Sequence, residues 1–176
     1  MGGYPKGLLP APDTAEPLVV RLVRLAREAG LEVVAVGRAD AYRAALPELP
    51  VVPDAPGIAG PLAGLRALLA DAHPHPAIAL ACDLPFLELP LLRRLVVTPP
   101  DDAVVSARLA PHAPWEPLFA RYPSAQVLPV LDAALAQGVR SFQALFERLS
   151  VRALPLDARE RAQLRDWDSP GDLAPR

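Results

Sequence analysis

Two aspartates in this sequence each follow a short apolar segment that predicts a strand. Asp83 comes directly after AIALAC, residues 77–82, and Asp54 follows the segment 49–52 and one proline. The carboxyl ends of parallel strands meet at one edge of an open α/β sheet, where such folds bind ligands. A carboxylate at that edge can hold a hard cation together with phosphate oxygens. For either aspartate alone, a helix cap or a solvated turn is the alternative, but two at one predicted edge favour a binding role.

The opening of the chain offers a cation for phosphate. Lys6 is the single lysine beside seventeen arginines, and Gly2, Gly3 and Gly7 surround it. Glycines let a backbone approach a polyphosphate closely, and an ammonium group is a compact point charge on a flexible stem. These residues alone leave open the alternative of a flexible start with a chance surface lysine.

Composition limits the classes of protein that are compatible with the chain. The length of 176 residues and a hydrophobic content of 52% predict one folded domain, 1–176. A net charge of −2 argues against a nucleic-acid partner, which requires a basic surface. No apolar run is long enough to cross a bilayer and no apolar leader opens the chain, so we expect a soluble, cytoplasmic protein without a membrane partner.

Three further residues suggest metal or thiol chemistry but are interpreted as structural. Cys82 is the only cysteine, so it forms neither an internal disulfide nor a thiolate-rich zinc site, and its apolar neighbours predict a buried thiol. His73 and His75 flank a proline at a predicted helix end and have no third partner nearby. We therefore expect exposed turn residues there, not metal ligands.

Hydrophobic periodicity predicts the elements that position these residues. Helices are predicted at 15–29, 40–46, 61–71, 89–96, 125–136 and 141–149, strands at 31–37, 49–52, 77–82, 102–108, 115–122 and 151–154, and a terminal helix starting at 169–170. Alternation of strand and helix from 31 to 96 predicts an α/β fold with three layers, a mostly parallel Rossmann-like sheet and helices on both faces. The strands 102–108 and 115–122 predict a pair added to that core. Neither a complete dinucleotide fingerprint nor a Ser-His-acid triad is present.

Four stretches resemble one known family in order and spacing. They are MGGYPKGLL, VVPD followed by GPLAGL, ALACDLPFL, and the closing DWDSPGDL. Together they are similar to the molybdenum cofactor guanylyltransferases of the MobA type, with weaker agreement in EPLFARY and GVRSFQALF. The resemblance covers essentially the whole chain. It implies transfer of GMP from GTP to molybdopterin cofactor with release of pyrophosphate, in the presence of Mg²⁺, and it suggests other cofactor-maturation proteins as partners.

The same resemblance implies roles for individual residues. Lys6 would contact the GTP phosphates, Asp83 would ligate Mg²⁺, and both would be catalytic. Asp54 would help to hold the guanine nucleotide, and the remaining assignments are Gly2, Gly3 and Arg38 on the nucleotide side and Arg140, Asp166 and Asp168 on the pterin side. Such a reaction needs positioning and charge neutralisation more than a protein nucleophile.

The sequence departs from the family pattern in three places. The family begins with an apolar strand and a Gly-rich loop, roughly Leu-Ala-Gly-Gly-x-Ser-x-Arg, and this sequence opens at the Met after it, so we expect either an upstream start or impaired activity. Pro5 stands where an acid often precedes the lysine, and Asp166 and Asp168 replace a pair that is commonly asparagine. The alternatives are a cytidylyltransferase of the same fold, which GPLAGL disfavours, and a catalytically silent module that binds molybdopterin or a partner protein.

Overall fold

Two separate sheets form the middle layer of the fold. The computed structural model describes residues 5–12, 14–37 and 40–165. Its strands are β1 (Ala35–Val36), β2 (Val51–Val52), β3 (Ala77–Leu80), β4 (Val104–Arg108), β5 (Trp115–Tyr122) and β6 (Val151–Ala153). Strands β1 and β2 pair in parallel, and the other four form a sheet in the order β3-β5-β4-β6. No hydrogen-bonded ladder joins β1 to β3 within the part of the chain that the structure describes.

Helices cover both faces of this layer. They are α1 (Leu18–Glu28), α2 (Pro61–Ala72), α3 (Leu89–Val97), α4 (Ser124–Ala136), α5 (Phe142–Phe146) and α6 (Ala158–Gln163), with 3₁₀ turns at Lys6–Leu8 and Asp40–Tyr42. Helix α1 packs beside α3, and α2 packs beside α4. Along β3, Ala77 and Ala79 belong to the core that contains α2 and α4, while Ile78 and Leu80 pack against the core that contains α3. This alternation places one helix pair on each face of the sheet.

Helix α2 shows how local sequence sets one edge of the site. Its N-cap is Gly60 at φ +86°, a left-handed conformation that glycine adopts without strain, and Pro61 occupies the first helical position. Leu62, Leu65 and Leu69 follow at helical spacing and are at most 4% exposed. The helix therefore begins at a defined residue and is held against the sheet by a continuous apolar stripe.

The predicted three-layer α/β class is confirmed, and the sheet differs in detail from the expected one. The predicted strand pair is present as β4 and β5, but β5 lies between β3 and β4 and runs antiparallel to both. The parallel pairings are β1 with β2 and β4 with β6, so two of the four pairings are parallel. Strands β4 and β5 form a hairpin, whereas β3 and β5 pair although α3 and β4 lie between them in the chain, which alternation in the first half of the chain does not reveal.

Several element boundaries also differ from expectation. The predicted strand 31–37 is observed only at Ala35–Val36, and the predicted helix 40–46 contains a single 3₁₀ turn at Asp40–Tyr42. Helix α6 was not predicted, although its capping box, Asp157 with Glu160, is a recognisable signal. The predicted terminal helix at 169–170 lies outside the described residues. Among the residues that are described, no helix has the length and apolar character needed to cross a bilayer.

Candidate functional site

Lys6 and Asp83 form an ion pair across 77 residues of chain. Lys6 Nζ lies 3.2 Å from Asp83 Oδ2, and the two side chains are 33% and 20% exposed. Asp83 follows β3 by three residues, and Lys6 begins the 3₁₀ turn Lys6–Leu8. The two residues singled out in the sequence for phosphate and metal chemistry are therefore in contact, and both remain partly open to solvent.

Tyr42 connects this pair to the rest of the carboxyl edge. Its hydroxyl lies 3.6 Å from Cys82 Sγ, and its ring lies against Gly7, where an added Cβ would be only 2.9 Å from Tyr42 Cε1. Burial, and then the hydrogen bond with Cys82, raise the pKa of the Tyr42 hydroxyl to about 12. Tyr42 thus contacts Gly7, next to Lys6, and Cys82, next to Asp83. These two contacts fix the distance between the segments that carry Lys6 and Asp83.

Asp54 occupies a niche made by two glycines. A Cβ built on Gly37 would lie 3.2 Å from both Asp54 carboxylate oxygens, and a Cβ built on Gly64 would lie 3.3 Å from Oδ1. Gly37 follows β1 at φ +83°, and Gly64 lies in the first turn of α2. The carboxylate therefore packs against backbone on two sides, and Asp54 itself is exposed.

Contacts between distant segments bring these groups close to the ends of β1 and β3. Gly64, near the start of α2, contacts the end of β1 at Val36, and α2 then runs down to the turn that starts β3. The end of β1 therefore lies beside the start of α2, and the carboxyl end of α2 leads into β3. The contact of Tyr42 with Cys82 joins those two ends directly. Asp54 lies beside the residue that follows β1, and the Lys6–Asp83 pair lies after the end of β3. Their joint role in one site stays a prediction.

A cavity of about 980 Å³ lies between β1 and β3, below this edge. Its lining includes Tyr42, Gly64 and Cys82, which contact or adjoin the site residues. Lys6, Asp54 and Asp83 are not among its lining residues. The site is therefore an open rim and the cavity is a separate feature of the molecule.

Arg140 is engaged with the end of a helix. Its Nη1 donates to the carbonyls of Leu135 and Val139, at 3.0 and 2.8 Å, which satisfies acceptors at the carboxyl end of α4. Its own carbonyl lies 3.8 Å from a Cβ built on Gly60, so Arg140 adjoins the start of α2. The structure gives this side chain a capping role near the carboxyl edge, and its pterin role stays a prediction.

The other predicted site residues lie outside the described part of the chain. They are Gly2, Gly3, Arg38, Asp166 and Asp168. Their assignments remain predictions from the sequence.

The two histidines interpreted as structural are exposed as expected, whereas Cys82 is only half-buried and is not the buried thiol that was predicted. His73 and His75 are exposed at the end of α2, and the His75 carbonyl accepts a hydrogen bond from Ser124 Oγ at 2.7 Å. Cys82 is half-buried beside Tyr42. Within the described ranges, no group of three or more His, Cys, Asp or Glu side chains can hold a metal ion by itself. A cation at Asp83 therefore needs oxygen ligands from a substrate, and Mg²⁺ is commonly bound in that way.

Sequence reasoning missed Tyr42. Its partners, Gly7 and Cys82, are far from it in sequence, and no local pattern marks an aromatic residue in a turn as part of a site. The sequence offers only an indirect indication. A glycine at position 7, beside the single lysine, allows another group to pack closely against the backbone there. Only the fold identifies that neighbour.

The fold of this chain is found in solved structures of other proteins. The crystal structure of molybdopterin-guanine dinucleotide biosynthesis protein A from Archaeoglobus fulgidus matches 97% of this chain and 87% of its own, with a TM-score of 0.71 and 23% identity. A putative protein from Aquifex aeolicus matches 88% of this chain and 80% of its own, with a TM-score of 0.73 and 18% identity. These likenesses define the class of the fold, which is a three-layer α/β fold shared with solved structures.

Sequence comparison then identifies the family. The model described as the MobA-like NTP transferase domain matches residues 1–153. A molybdenum cofactor guanylyltransferase of Pseudomonas putida strain GB-1 is 35% identical over 174 residues, which are 97% of this chain and 87% of the relative. A similar enzyme of Pseudomonas entomophila is 34% identical over 173 residues, again 97% of this chain and 87% of the relative. The chain belongs to the MobA-like NTP transferase family and is a nucleotidyltransferase.

Proposed function

We propose that this protein transfers GMP from GTP to molybdopterin cofactor and releases pyrophosphate. The observation that carries the proposal is the Lys6–Asp83 pair at the carboxyl edge, in a chain of the MobA-like family. An ammonium and a carboxylate at a strand end are the groups that this reaction needs, because it moves a phosphoryl centre between oxygens and requires no protein nucleophile.

The reaction places a simple demand on the protein. An oxygen of the pterin phosphate attacks the α-phosphorus of GTP, and the bond from that phosphorus to the leaving pyrophosphate breaks. Negative charge grows on the leaving group, so a cation held nearby lowers the barrier. Lys6 is partly exposed, and an incoming triphosphate competes with Asp83 for its ammonium group. The Tyr42 contacts on both flanks keep that ammonium at a defined place.

Asp83 fits the expected metal, Mg²⁺. It offers a hard carboxylate oxygen, it is 20% exposed, and its location lets substrate phosphates complete the ligand set. When bound, Mg²⁺ would supply charge neutralisation at the phosphates. Asp83 would hold it, and Lys6 would transfer its ion pair from the carboxylate to the phosphates.

The setting of Asp54 favours guanine over cytosine. A carboxylate is an acceptor with two oxygens, and the two glycines fix its position without covering it. Guanine presents two adjacent N–H donors, at N1 and N2, that can pair with both oxygens. Cytosine presents one amine beside an acceptor nitrogen, which the carboxylate repels. Asp54 is therefore the residue on which we base the choice of GTP.

The test is a pyrophosphate assay with purified protein, MgCl₂ and molybdopterin cofactor. We expect pyrophosphate release with GTP, only when the cofactor is present, and formation of the dinucleotide by mass spectrometry. Release with CTP and not with GTP would identify a cytidylyltransferase instead. No release with either nucleotide, while the cofactor still binds, would overturn the proposal in favour of a silent binding module.

A further inference from the structure

Arg108 and Trp115 form a cation–π pair at the end of β4. The central carbon of the Arg108 guanidinium lies 3.9 Å from the centroid of the Trp115 ring, and the two residues are direct partners across β4 and β5. Both residues are partly exposed. A guanidinium group stacks readily on an indole ring, and the attraction to the ring holds the cation in one place.

The Arg108 guanidinium has no partner of opposite charge in the part of the chain that the structure describes. Its Nε is buried without a hydrogen bond, and its Nη atoms make no ion pair or hydrogen bond with those residues. Two other guanidinium groups of the chain are engaged: Arg121 pairs with Asp101, and Arg140 donates to two carbonyls of its own segment. A cation that is held in place without a counter-ion attracts an anionic ligand.

Helix α5 fixes Trp115 beneath this cation. The Trp115 amide donates to Gln143 Oε1 at 3.1 Å, and Gln143 Nε2 donates to the Trp115 carbonyl at 2.9 Å. The Trp115 ring centroid also lies 6.1 Å from that of Phe146, which is buried in the core. Because its backbone and its ring are both held by α5, the indole is a rigid support for Arg108.

Strand order places the Arg108–Trp115 pair near Asp83. Strands β3 and β4 lie on either side of β5, and both run antiparallel to it. The carboxyl ends of β3 and β4 therefore lie at the same edge of this sheet, two strand spacings or about 10 Å apart. Asp83 follows the first of these ends, and Arg108 forms the second.

The nucleotide is proposed to lie on the other side of Asp83. Asp54 packs against Gly37 after β1, and β1 is separated from β3 by the cavity and not by β5. With guanine at Asp54 and the phosphates at Asp83, the acceptor approaches from the side of β5 and β4. The acceptor carries two anionic groups, which are the phosphate that attacks GTP and the molybdenum with its oxygen and sulfur ligands. When the phosphate is at Asp83, the molybdenum group is the anion that can reach Arg108.

We propose that Arg108, supported by Trp115, binds the anionic molybdenum group of the acceptor. The Nη atoms of Arg108 donate to the oxygen ligands of the molybdenum, and Trp115 is a positioning residue that acts through Arg108. The inference rests on the proposed function, from which it takes the acceptor. It adds a binding residue for that acceptor about 10 Å from the reacting phosphates, at the second strand end of the same edge.

Steady-state kinetics of Arg108→Gln test this assignment. A hydrogen bond from a charged group contributes enough that its loss should raise the KM for the molybdenum cofactor about tenfold or more. The KM for GTP and kcat should stay close to the wild-type values, because Arg108 does not touch the nucleotide or the reacting atoms. The matched control is Arg27→Gln, which removes an exposed guanidinium from the last turn of α1 and should leave all three constants unchanged.

Two further variants separate binding from a structural role. Arg108→Lys keeps the positive charge and should bring the KM for the cofactor closer to the wild-type value than Arg108→Gln does. Trp115→Phe keeps an aromatic ring in the core but supports the guanidinium less well, so it should raise the same KM by several-fold and leave the KM for GTP unchanged. Thermal unfolding checks that both variants are folded.

Inhibition by small anions identifies the group that Arg108 binds. Molybdate should compete with the cofactor in the wild type and inhibit Arg108→Gln several-fold more weakly. Pterin, which lacks molybdenum, should inhibit both proteins equally. Weaker inhibition of Arg108→Gln by pterin, with unchanged inhibition by molybdate, would show that the guanidinium contacts the heterocycle and would overturn the proposal.

A binding measurement keeps this inference separate from the proposed reaction. The protein is dialysed to equilibrium with molybdenum cofactor in the absence of GTP, and bound molybdenum is measured by mass spectrometry. If Arg108→Gln binds the cofactor about tenfold more weakly than the wild type while neither protein transfers GMP, the proposed reaction fails and the inference stands. Normal transfer by the wild type with equal cofactor binding by Arg108→Gln would overturn the inference alone. An equal rise in the KM values for both substrates would show that Arg108 has only a structural role.

Discussion

The Tyr42 hydroxyl lies 3.6 Å from Cys82 Sγ and so ties the turn after β1 to the residue before Asp83. The same ring covers Gly7, next to Lys6. One side chain therefore sets the relative position of two segments that contribute the ammonium and the carboxylate of the site. This arrangement has a pH dependence that can be measured, because burial and the Cys82 contact raise the pKa of Tyr42 to about 12 from its ordinary value of 10.0.

We predict that Tyr42→Phe lowers stability near pH 8 and has less effect near pH 12. A raised pKa in the folded state means that the neutral hydroxyl is stabilised on folding, so the contribution is complete below pH 10 and is lost as pH rises to about 12. The wild type should be more stable by about 1 kcal/mol at pH 8, measured by urea unfolding. Buried Tyr122 also has a raised pKa and is present in both proteins, so only the difference between the curves reports Tyr42. A constant difference across this range would contradict the assignment.

We predict that Asp83→Ala reduces guanylyl transfer by about a hundredfold or more. The change removes the carboxylate that contacts Lys6 and would hold Mg²⁺, while a rim position that is partly exposed should tolerate alanine without unfolding. Circular dichroism and thermal unfolding check the fold, and pyrophosphate release checks the activity. The matched control is Asp102→Ala, an exposed aspartate after α3 with no place in the site, which should retain full activity. Near-normal turnover of Asp83→Ala would remove Asp83 from the mechanism.

We predict that Lys6→Arg raises the KM for GTP about tenfold although the positive charge is kept. Guanidinium is a planar fork and ammonium a compact point charge, and the segment is fixed by close contact of Gly7 with Tyr42. The longer, planar group cannot occupy the same place beside Asp83. Steady-state kinetics with varied GTP measures the change. Unaltered kinetic constants would mean that the single lysine of the chain is incidental.

We predict that Gly37→Ala and Gly30→Ala lose similar stability but differ in activity. Both glycines have positive φ, +83° and +84°, so an alanine costs about 1–2 kcal/mol at either position. A Cβ at Gly30 meets nothing within 4 Å, whereas one at Gly37 lies 3.2 Å from the Asp54 carboxylate. Only Gly37→Ala should raise the KM for GTP, by several-fold. Denaturant titration measures the loss of stability from backbone strain, and steady-state kinetics measure the effect of displacing Asp54. Equal activities of the two variants would exclude Asp54 from nucleotide binding.

Local pattern was enough to predict most elements and the ends at which they present functional groups. The leucine spacing of α2, the glycine and proline at its start, and the apolar run of β3 each act within about one turn or one strand. The resemblance gave Lys6 and Asp83 separate roles at the phosphates and the metal, and the direct contact between their side chains was not predicted. The position of β5 between β3 and β4 was not predictable from the sequence, because strand order depends on which strand edges pair when distant segments pack together.

The length of β1 shows where such prediction stops. Residues 31–37 have the valine content and the glycine end of a buried strand, but ladder pairing covers only Ala35–Val36. A strand is completed by hydrogen bonds from both sides, and the side that faces β3 has no ladder in the described residues. The strand propensity of a segment is set by its own residues, whereas the number of residues that pair in a ladder depends on the neighbouring strands.

Sequence by itself therefore determined the α/β class, the family, and the residue types that gather at the carboxyl edge, since these follow from periodicity and motif spacing. Only the tertiary structure decided that Tyr42 contacts both segments of the Lys6–Asp83 pair and that two glycines pack against Asp54. The physical reason is that these are distances between segments far apart in the chain. Packing sets them only when all the layers are in place.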